Sequence, residues 1–109
     1  MHELALMESM VSAVVDRVGA ARVLTVRLEI GRLAAVVPDA LRFCFDVCAR
    51  GTTLEGATLE IDSIGGRARC RSCGVERPLE SYADLCDCGA TDLAVLAGEE
   101  LRIKNVEVA

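Results

Sequence analysis

Four cysteines in a short, weakly apolar stretch constrain the fold of this chain more than any other feature. They form two pairs, Cys70-Arg-Ser-Cys73 and Cys86-Asp-Cys88, with twelve residues between them. Pairs of cysteines separated by short loops are typical of structural zinc sites, in which each pair binds one side of a tetrahedral ion. Segment 65–98, which holds both pairs, has too few large apolar side chains to close a core of its own. Because a structural zinc contributes about 10–16 kcal/mol in small fingers, we predict that zinc holds this segment together.

The second pair is shorter than the usual C-x-x-C. We expect Cys86 and Cys88 to lie in an extended strand, where residues i and i+2 point to the same side, so that both sulfurs reach one ion. Asp87 is a possible competing ligand. A site with four protein ligands has no open position, which favours a structural role over a catalytic one.

Three other interpretations use the same cysteines. The first interpretation is a pair of disulfides, but cysteines in a reducing compartment are more often metal ligands or buried thiols. The second interpretation is an iron site of rubredoxin type, which would make the protein an electron carrier. The third is a zinc ribbon acting as an adaptor that binds protein or nucleic acid. The charge disfavours nucleic acid, because the chain carries a net charge of −5 and nucleic-acid binding needs clustered Lys and Arg.

The rest of the chain alternates helix and strand patterns. Apolar residues at helical spacing predict a helix over 3–18 that ends at Gly19. Alternation predicts a strand over 22–30 with Leu24, Val26, Leu28 and Ile30 on the buried face. A second helix begins at Pro38 and stops before Gly51, and further strands are expected over 57–62 and about 100–108.

This order predicts an α+β fold: a small two-helix domain packed on an antiparallel three-stranded sheet, with an inserted four-cysteine zinc-ribbon-like domain. The expected boundaries are 1–64 and 99–109 for an α/β domain and 65–98 for a zinc-binding domain. The opening residues do not resemble a signal peptide, and no apolar run reaches the roughly 20 residues of a membrane helix. We therefore expect a cytoplasmic protein that does not bind membranes.

The N-terminus offers a second set of metal ligands. The single histidine is His2, and a bulky second residue normally blocks removal of Met1. The Met1 amine and the His2 amide and imidazole can close fused chelate rings, and the Glu3 amide can fill a fourth in-plane position. Square-planar nitrogen donors favour Ni(II) or Cu(II).

The two remaining cysteines, Cys44 and Cys48, lie one turn apart on the apolar face of the second helix. Buried free cysteine behaves as a small hydrophobe, so we interpret them as core residues and hold a metal or redox role as the alternative. No Ser-His-Asp, Cys-His or paired-carboxylate arrangement stands out, which predicts a protein that is not an enzyme.

Several segments together resemble the HypA/HybF family of hydrogenase-maturation nickel metallochaperones. The similarity runs from Met1-His2-Glu3 through LEIGRL (28–33), LRFCFDV (41–47) and RGTTLEGATLEI (50–61) to LRIKNVEV (101–108), and it includes the cysteine pairs. The family usually has Cys-Pro-x-Cys at the second pair, where this chain has Cys86-Asp87-Cys88.

The resemblance implies a function and its partners. It implies Ni(II) as a transient cargo held by Met1, His2 and Glu3, and structural Zn(II) on Cys70, Cys73, Cys86 and Cys88. It also implies a nickel-insertion GTPase of HypB type, the large subunit of [NiFe]-hydrogenase as recipient, and urease accessory proteins as possible further partners.

Overall fold

The computed structural model describes residues 3–109. Two helices and six strands, with one short 3-10 helix, follow one another along the chain. Their bounds are α1 Glu3–Val18, β1 Val23–Gly31, the 3-10 helix Arg32–Ala34, α2 Pro38–Ala49, β2 Thr58–Ile64, β3 Arg67–Cys70, β4 Glu76–Pro78, β5 Leu93–Ala97 and β6 Leu101–Val108.

Both predicted helices are present. The buried side chains of α1 are Met7, Val11 and Val14, at the three- and four-residue spacing of one helix face. Gly19 follows in the left-handed conformation with φ 61°, and its N–H donates to the Val15 carbonyl at 3.0 Å, as expected of a glycine that ends a helix. The helical spacing of apolar residues also places Leu4 on this face, but its side chain is 47% exposed.

Proline at the start of α2 fixes its first turn, as the sequence predicts. Leu41, Phe45 and Ala49 are buried at intervals of four residues, so they form one stripe against the core. The half-buried Cys44 and Cys48 flank this stripe.

Strand β1 is the central strand of a three-stranded sheet with the order β2-β1-β6. Its buried residues are Val23, Val26, Leu28 and Ile30. The predicted burial of Leu24 is wrong, since this side chain is 44% exposed. The strand begins at the buried Val23, whose N–H donates to the Thr53 carbonyl, and strict alternation of buried residues starts only at Val26.

Polar side chains join the three strands of this sheet. Arg27 on β1 donates from Nε to Glu60 on β2 at 2.8 Å and from Nη1 to Asn105 on β6 at 2.9 Å. Lys104 on β6 lies 3.5 Å from Asp62 on β2. Exposed ion pairs of this kind contribute about 0.2–1 kcal/mol each, so they fix register more than they add stability.

A second sheet has the order β4-β3-β5, and both of its pairings are antiparallel. This sheet was not predicted from the sequence. Its central strand, β3, buries Ala68 and Cys70 and exposes the arginines between and before them. Two helices, a three-stranded sheet and a separate four-cysteine module confirm the predicted α+β class.

The chain divides into two compact units. One comprises residues 1–28, 36–62 and 102–109, and the other comprises 29–35 and 63–101, which includes all four paired cysteines. The assignment of nickel to a domain of residues 1–64 and 99–109, and of zinc to 65–98, remains a prediction. No helix within residues 3–109 combines the length and the hydropathy needed to span a membrane.

Candidate metal centre

The four paired cysteines converge on one point. Cys70 is the last residue of β3, Cys73 lies in the turn that follows, and Cys86 and Cys88 lie on the segment between β4 and β5. All four sulfurs lie within 4.8 Å of one another. Cys70 and Cys86 are buried and Cys73 and Cys88 are exposed, so the cluster has a covered side and an open side.

The distances between sulfurs match a tetrahedral metal site. Sγ of Cys70 lies 3.7 Å from Sγ of Cys88, and Sγ of Cys73 lies 3.6 Å from Sγ of Cys86. A disulfide would require about 2.05 Å. Four sulfurs placed at about 2.3 Å from a central zinc are about 3.8 Å apart. The donor set and these two distances therefore fit a tetrahedral zinc site.

The first cysteine pair is held by a tight turn. The Gly74 N–H donates to the Cys70 carbonyl at 2.9 Å, and Gly74 adopts a φ of 79° that a side chain would disfavour. The Cys73 N–H points at Cys70 Sγ at 3.4 Å. A backbone donor aimed at sulfur favours the thiolate, which is the form that binds metal.

The second pair also lies in a turn, so the expectation of an extended strand is wrong. The Gly89 N–H donates to the Cys86 carbonyl at 2.8 Å, which closes a four-residue turn, and the Cys86 N–H donates to the Ala90 carbonyl at 3.0 Å. Gly89 has a φ of 88°. The turn, and not strand alternation, brings the Cys86 and Cys88 sulfurs to the same point in spite of the missing residue.

The thiols of the cluster differ in acidity. The pKa of Cys70 is lowered to about 6, chiefly because the Cys73 N–H donates to its sulfur. The pKa of Cys88 is raised to about 12: the Ala90 N–H favours its thiolate, but Cys86 and Cys70 beside it outweigh that effect. Several negative sulfurs cannot share so small a volume without a cation, since like charges oppose ionisation. Zinc would supply that charge and release the protons.

An arginine supports the second pair from outside the cluster. Arg77 on β4 donates from Nη1 to the carbonyl of Leu85, the residue before Cys86. Its Nη1 also lies 3.8 Å from the carboxylate of Asp87. Asp87 is therefore paired with Arg77, and the group of gathered potential ligands consists of the four cysteines without it. The sequence spacing gave no indication of this role for Arg77.

The charges around β3 oppose the nucleic-acid interpretation. Arg69 lies 3.6 Å from Glu76, and Arg71 lies 3.0 Å from Asp92. Two of the three arginines on β3 or directly after it are thus paired with carboxylates, whereas phosphate binding needs clustered cations.

The predicted nickel residues are only partly within the described region. Met1 and His2 lie outside the described residues. Glu3 is the first residue of α1, and its carboxylate accepts a hydrogen bond from the Val37 N–H at 3.3 Å. This bond ties the start of α1 to the N-terminus of α2. The nickel ligand set remains a prediction.

Cys44 and Cys48 do not join the metal cluster. Within residues 3–109, the four-cysteine cluster is the one group with three or more potential ligands gathered together. The pKa of Cys48 is raised, first by burial and then by the charges of Glu8 and Cys44. A raised pKa disfavours the reactive thiolate and agrees with the interpretation of these thiols as packing residues.

Comparison with known proteins gives consistent matches over the full length. Residues 1–108 match the family model described as hydrogenase/urease nickel incorporation, metallochaperone, HypA. The hydrogenase maturation factor HypA of Trichormus variabilis is 50% identical over 108 residues, which cover 99% of this chain and 96% of that protein. HypA of Geobacter metallireducens is 50% identical over 109 residues, covering 99% of both.

The solution structure of the Ni metallochaperone HypA from Helicobacter pylori matches in fold. The TM-score is 0.68, and the match covers 99% of this chain and 97% of that one. The sequence identity is 18%, so this likeness concerns the fold.

Proposed function

This chain belongs to the HypA family of hydrogenase/urease nickel-incorporation metallochaperones, and we propose from this premise that it carries Ni(II) on its N-terminus while zinc holds its four-cysteine module. The supporting observation is that the match to the family begins at residue 1, so it includes Met1-His2-Glu3. In this proposal nickel is cargo and zinc is a resident structural ion.

The proposed nickel site uses nitrogen donors. The Met1 amine, the His2 amide and imidazole and the Glu3 amide form a nitrogen set that suits Ni(II). The amine and the imidazole ionise near neutral pH, so both are available to a metal under physiological conditions. Glu3, the proposed ligand within the described residues, is the first residue of α1, so the first turn of this helix would have to open for the Glu3 amide to bind a cation.

The proposed zinc site uses Cys70, Cys73, Cys86 and Cys88. Their convergence within 4.8 Å and the two turns that present them support this assignment. With four thiolates the ion has no open position, so it serves folding. Because thiolates persist only under reducing conditions, the proposal includes a cytoplasmic location.

The proposed partners are those implied by the family. We propose a HypB-type nickel-insertion GTPase as a partner, the large subunit of [NiFe]-hydrogenase as the recipient, and urease accessory proteins as further candidates. We also propose that the protein is not an enzyme. Among residues 3–109, the four cysteines are the one group of three or more Cys, His, Asp or Glu side chains placed to hold a metal ion, and they suit a structural ion.

A nickel titration tests the proposal. Zinc-loaded protein with a native N-terminus is compared with His2→Ala and with a form extended by one residue before Met1. We expect the native protein to bind about one Ni(II) per chain and both altered forms to lose it. Equal binding by all three would place nickel elsewhere and would favour a zinc-ribbon adaptor without nickel transport.

A further inference from the structure

Helix α2 presents large apolar side chains to solvent. Phe43 is 70% exposed and Val47, one helical turn later, is 37% exposed. Phe45, in contrast, is buried in the core of the same unit. A phenylalanine left in water forgoes about 1.5–3 kcal/mol of burial, so neighbouring exposed apolar residues indicate a contact surface more often than they indicate chance.

Beside these residues a cavity of about 530 Å³ opens between the two helices. We call it the α1/α2 groove, and its lining includes Leu4, Glu8, Val11 and Val15 from α1 and Val47 and Cys48 from α2. Leu4 is itself 47% exposed. Phe43 lies one helical turn before Val47, on the same side of α2, so the two exposed side chains extend the apolar surface of the groove along that helix. An apolar strip of this kind accepts one face of an amphipathic helix.

Carboxylates accompany this strip. Glu8 lies in the groove, and Asp39 and Asp46 are exposed on α2. Arg42 directs its guanidinium to the Leu59 carbonyl at 2.6 Å, and Arg50 directly follows the last residue of α2, so the carboxylates outnumber the cations that are available beside the groove. A second copy of the chain would bring the same carboxylates against one another. A basic partner would instead gain complementary charge, which suits the net charge of −5.

We propose that the α1/α2 groove docks an amphipathic helix with a basic flank, carried by the protein that exchanges nickel with this chain. This inference rests on the proposed function, and it assigns the docking surface of that function. The groove begins at Leu4, the residue after the proposed nickel ligands. A helix seated in it would therefore contact the first turn of α1, directly after the proposed nickel ligands in the chain.

Substitutions in the exposed strip test the proposal. Phe43→Ser removes the exposed aromatic, Glu8→Lys reverses the charge in the groove, and Leu96→Ser is the matched control, because Leu96 is 47% exposed on β5. The probes are the purified nickel-insertion GTPase and the purified hydrogenase large subunit of the same organism, titrated calorimetrically at low and high salt. We expect one of them to bind.

For the partner that binds, Phe43→Ser should weaken affinity by about tenfold or more, as removal of an interface aromatic does. Glu8→Lys should also weaken it and should reduce its salt dependence. Leu96→Ser should change it by no more than about twofold. Unchanged affinity in Phe43→Ser, an equal loss in Leu96→Ser, or no binding of either probe to the unaltered protein would overturn the proposal.

Two further measurements separate the possible failures. Sedimentation of the same samples would show whether Phe43→Ser disrupts self-association, a result that would make a second copy the occupant and contradict the proposal. Nickel titration of the same samples tests the function itself. If unaltered protein binds no nickel, the proposed function fails; if Phe43→Ser binds nickel normally and both partners normally, only the docking inference fails.

Discussion

Replacing Gly31 by alanine would place a methyl group against the backbone of Gly98. A Cβ at residue 31 would meet the Gly98 carbonyl carbon and oxygen well inside contact distance, and the neighbouring Glu99 nitrogen at 2.6 Å. These obstacles are backbone atoms, which cannot rotate away as a flexible side chain can. The conformation of Gly31 is itself ordinary, with φ −74° and ψ 144°, so alanine is disfavoured here by contact and not by its dihedral preference.

The cost follows from what must move. The Gly31 N–H donates to the Glu100 carbonyl at 2.7 Å, and the Leu33 N–H donates to the Gly98 carbonyl at 2.8 Å. Separating the two backbones weakens both bonds, at about 1 kcal/mol each. Overpacking adds about 1–3 kcal/mol. We therefore expect Gly31→Ala to lower the free energy of unfolding by roughly 3–5 kcal/mol.

Gly65→Ala is the matched control. A Cβ at residue 65 meets no atom within 4 Å, and its φ lies outside the left-handed region. We expect the free energy of unfolding of Gly65→Ala to stay within about 0.5 kcal/mol of that of the unaltered protein. Alanine restricts the unfolded chain more than glycine does, so any change should be a small increase in stability. Urea denaturation of the zinc-loaded proteins, followed by far-ultraviolet circular dichroism, measures both. Equal stability of the two variants would refute the close approach of Gly31 and Gly98.

Two further substitutions test the metal module. Cys73→Ser should abolish tight zinc binding and unfold the module while α1 and α2 persist, whereas its control, Cys44→Ser, should leave the zinc content unchanged. Metal analysis measures the zinc content, and amide hydrogen exchange measures which elements unfold. If the amides of α1 and α2 lose protection together with the module in Cys73→Ser, the two units are not separable. Arg77→Lys should speed zinc release to a chelator several-fold, because lysine cannot reproduce the planar guanidinium contacts with the Leu85 carbonyl and Asp87. Arg67→Lys, on the exposed face of β3, is its control, and equal rates in the two variants would exclude a supporting role for Arg77.

The helices could be predicted closely from the sequence. Their limits are set by local chemistry, with Pro38 in the first turn of α2 and Gly19 after α1, and such signals do not depend on the rest of the fold. The three strands of the first sheet were also found, since alternating apolar residues mark them. Which residue at the start of β1 is buried was not predicted correctly. The choice between Val23 and Leu24 depends on which of them pairs with the segment at Thr53, and that pairing is not visible in the local sequence.

The metal module was predicted in its chemistry but not in its backbone. The spacing of cysteines identified the four that converge. Strands β3, β4 and β5 have three to five residues each, which is too short for a clear pattern. The second sheet and the turn at Cys86–Cys88 therefore emerged only in three dimensions. Residues 29–35 belong to the second unit although they are distant from it in sequence, and Arg77 contacts the Leu85 carbonyl eight residues away. Local sequence patterns relate neither pair of segments, so neither feature could be predicted.

X-ray absorption at the zinc and nickel edges of one sample, loaded with both metals and with its native N-terminus intact, tests the central claim of two metals at two chemically distinct sites. We expect a zinc edge with four sulfur neighbours at about 2.3 Å. We expect a nickel edge with nitrogen or oxygen neighbours and no sulfur, which changes in His2→Ala while the zinc edge does not. Sulfur around nickel, or nitrogen or oxygen replacing sulfur around zinc, would contradict this claim.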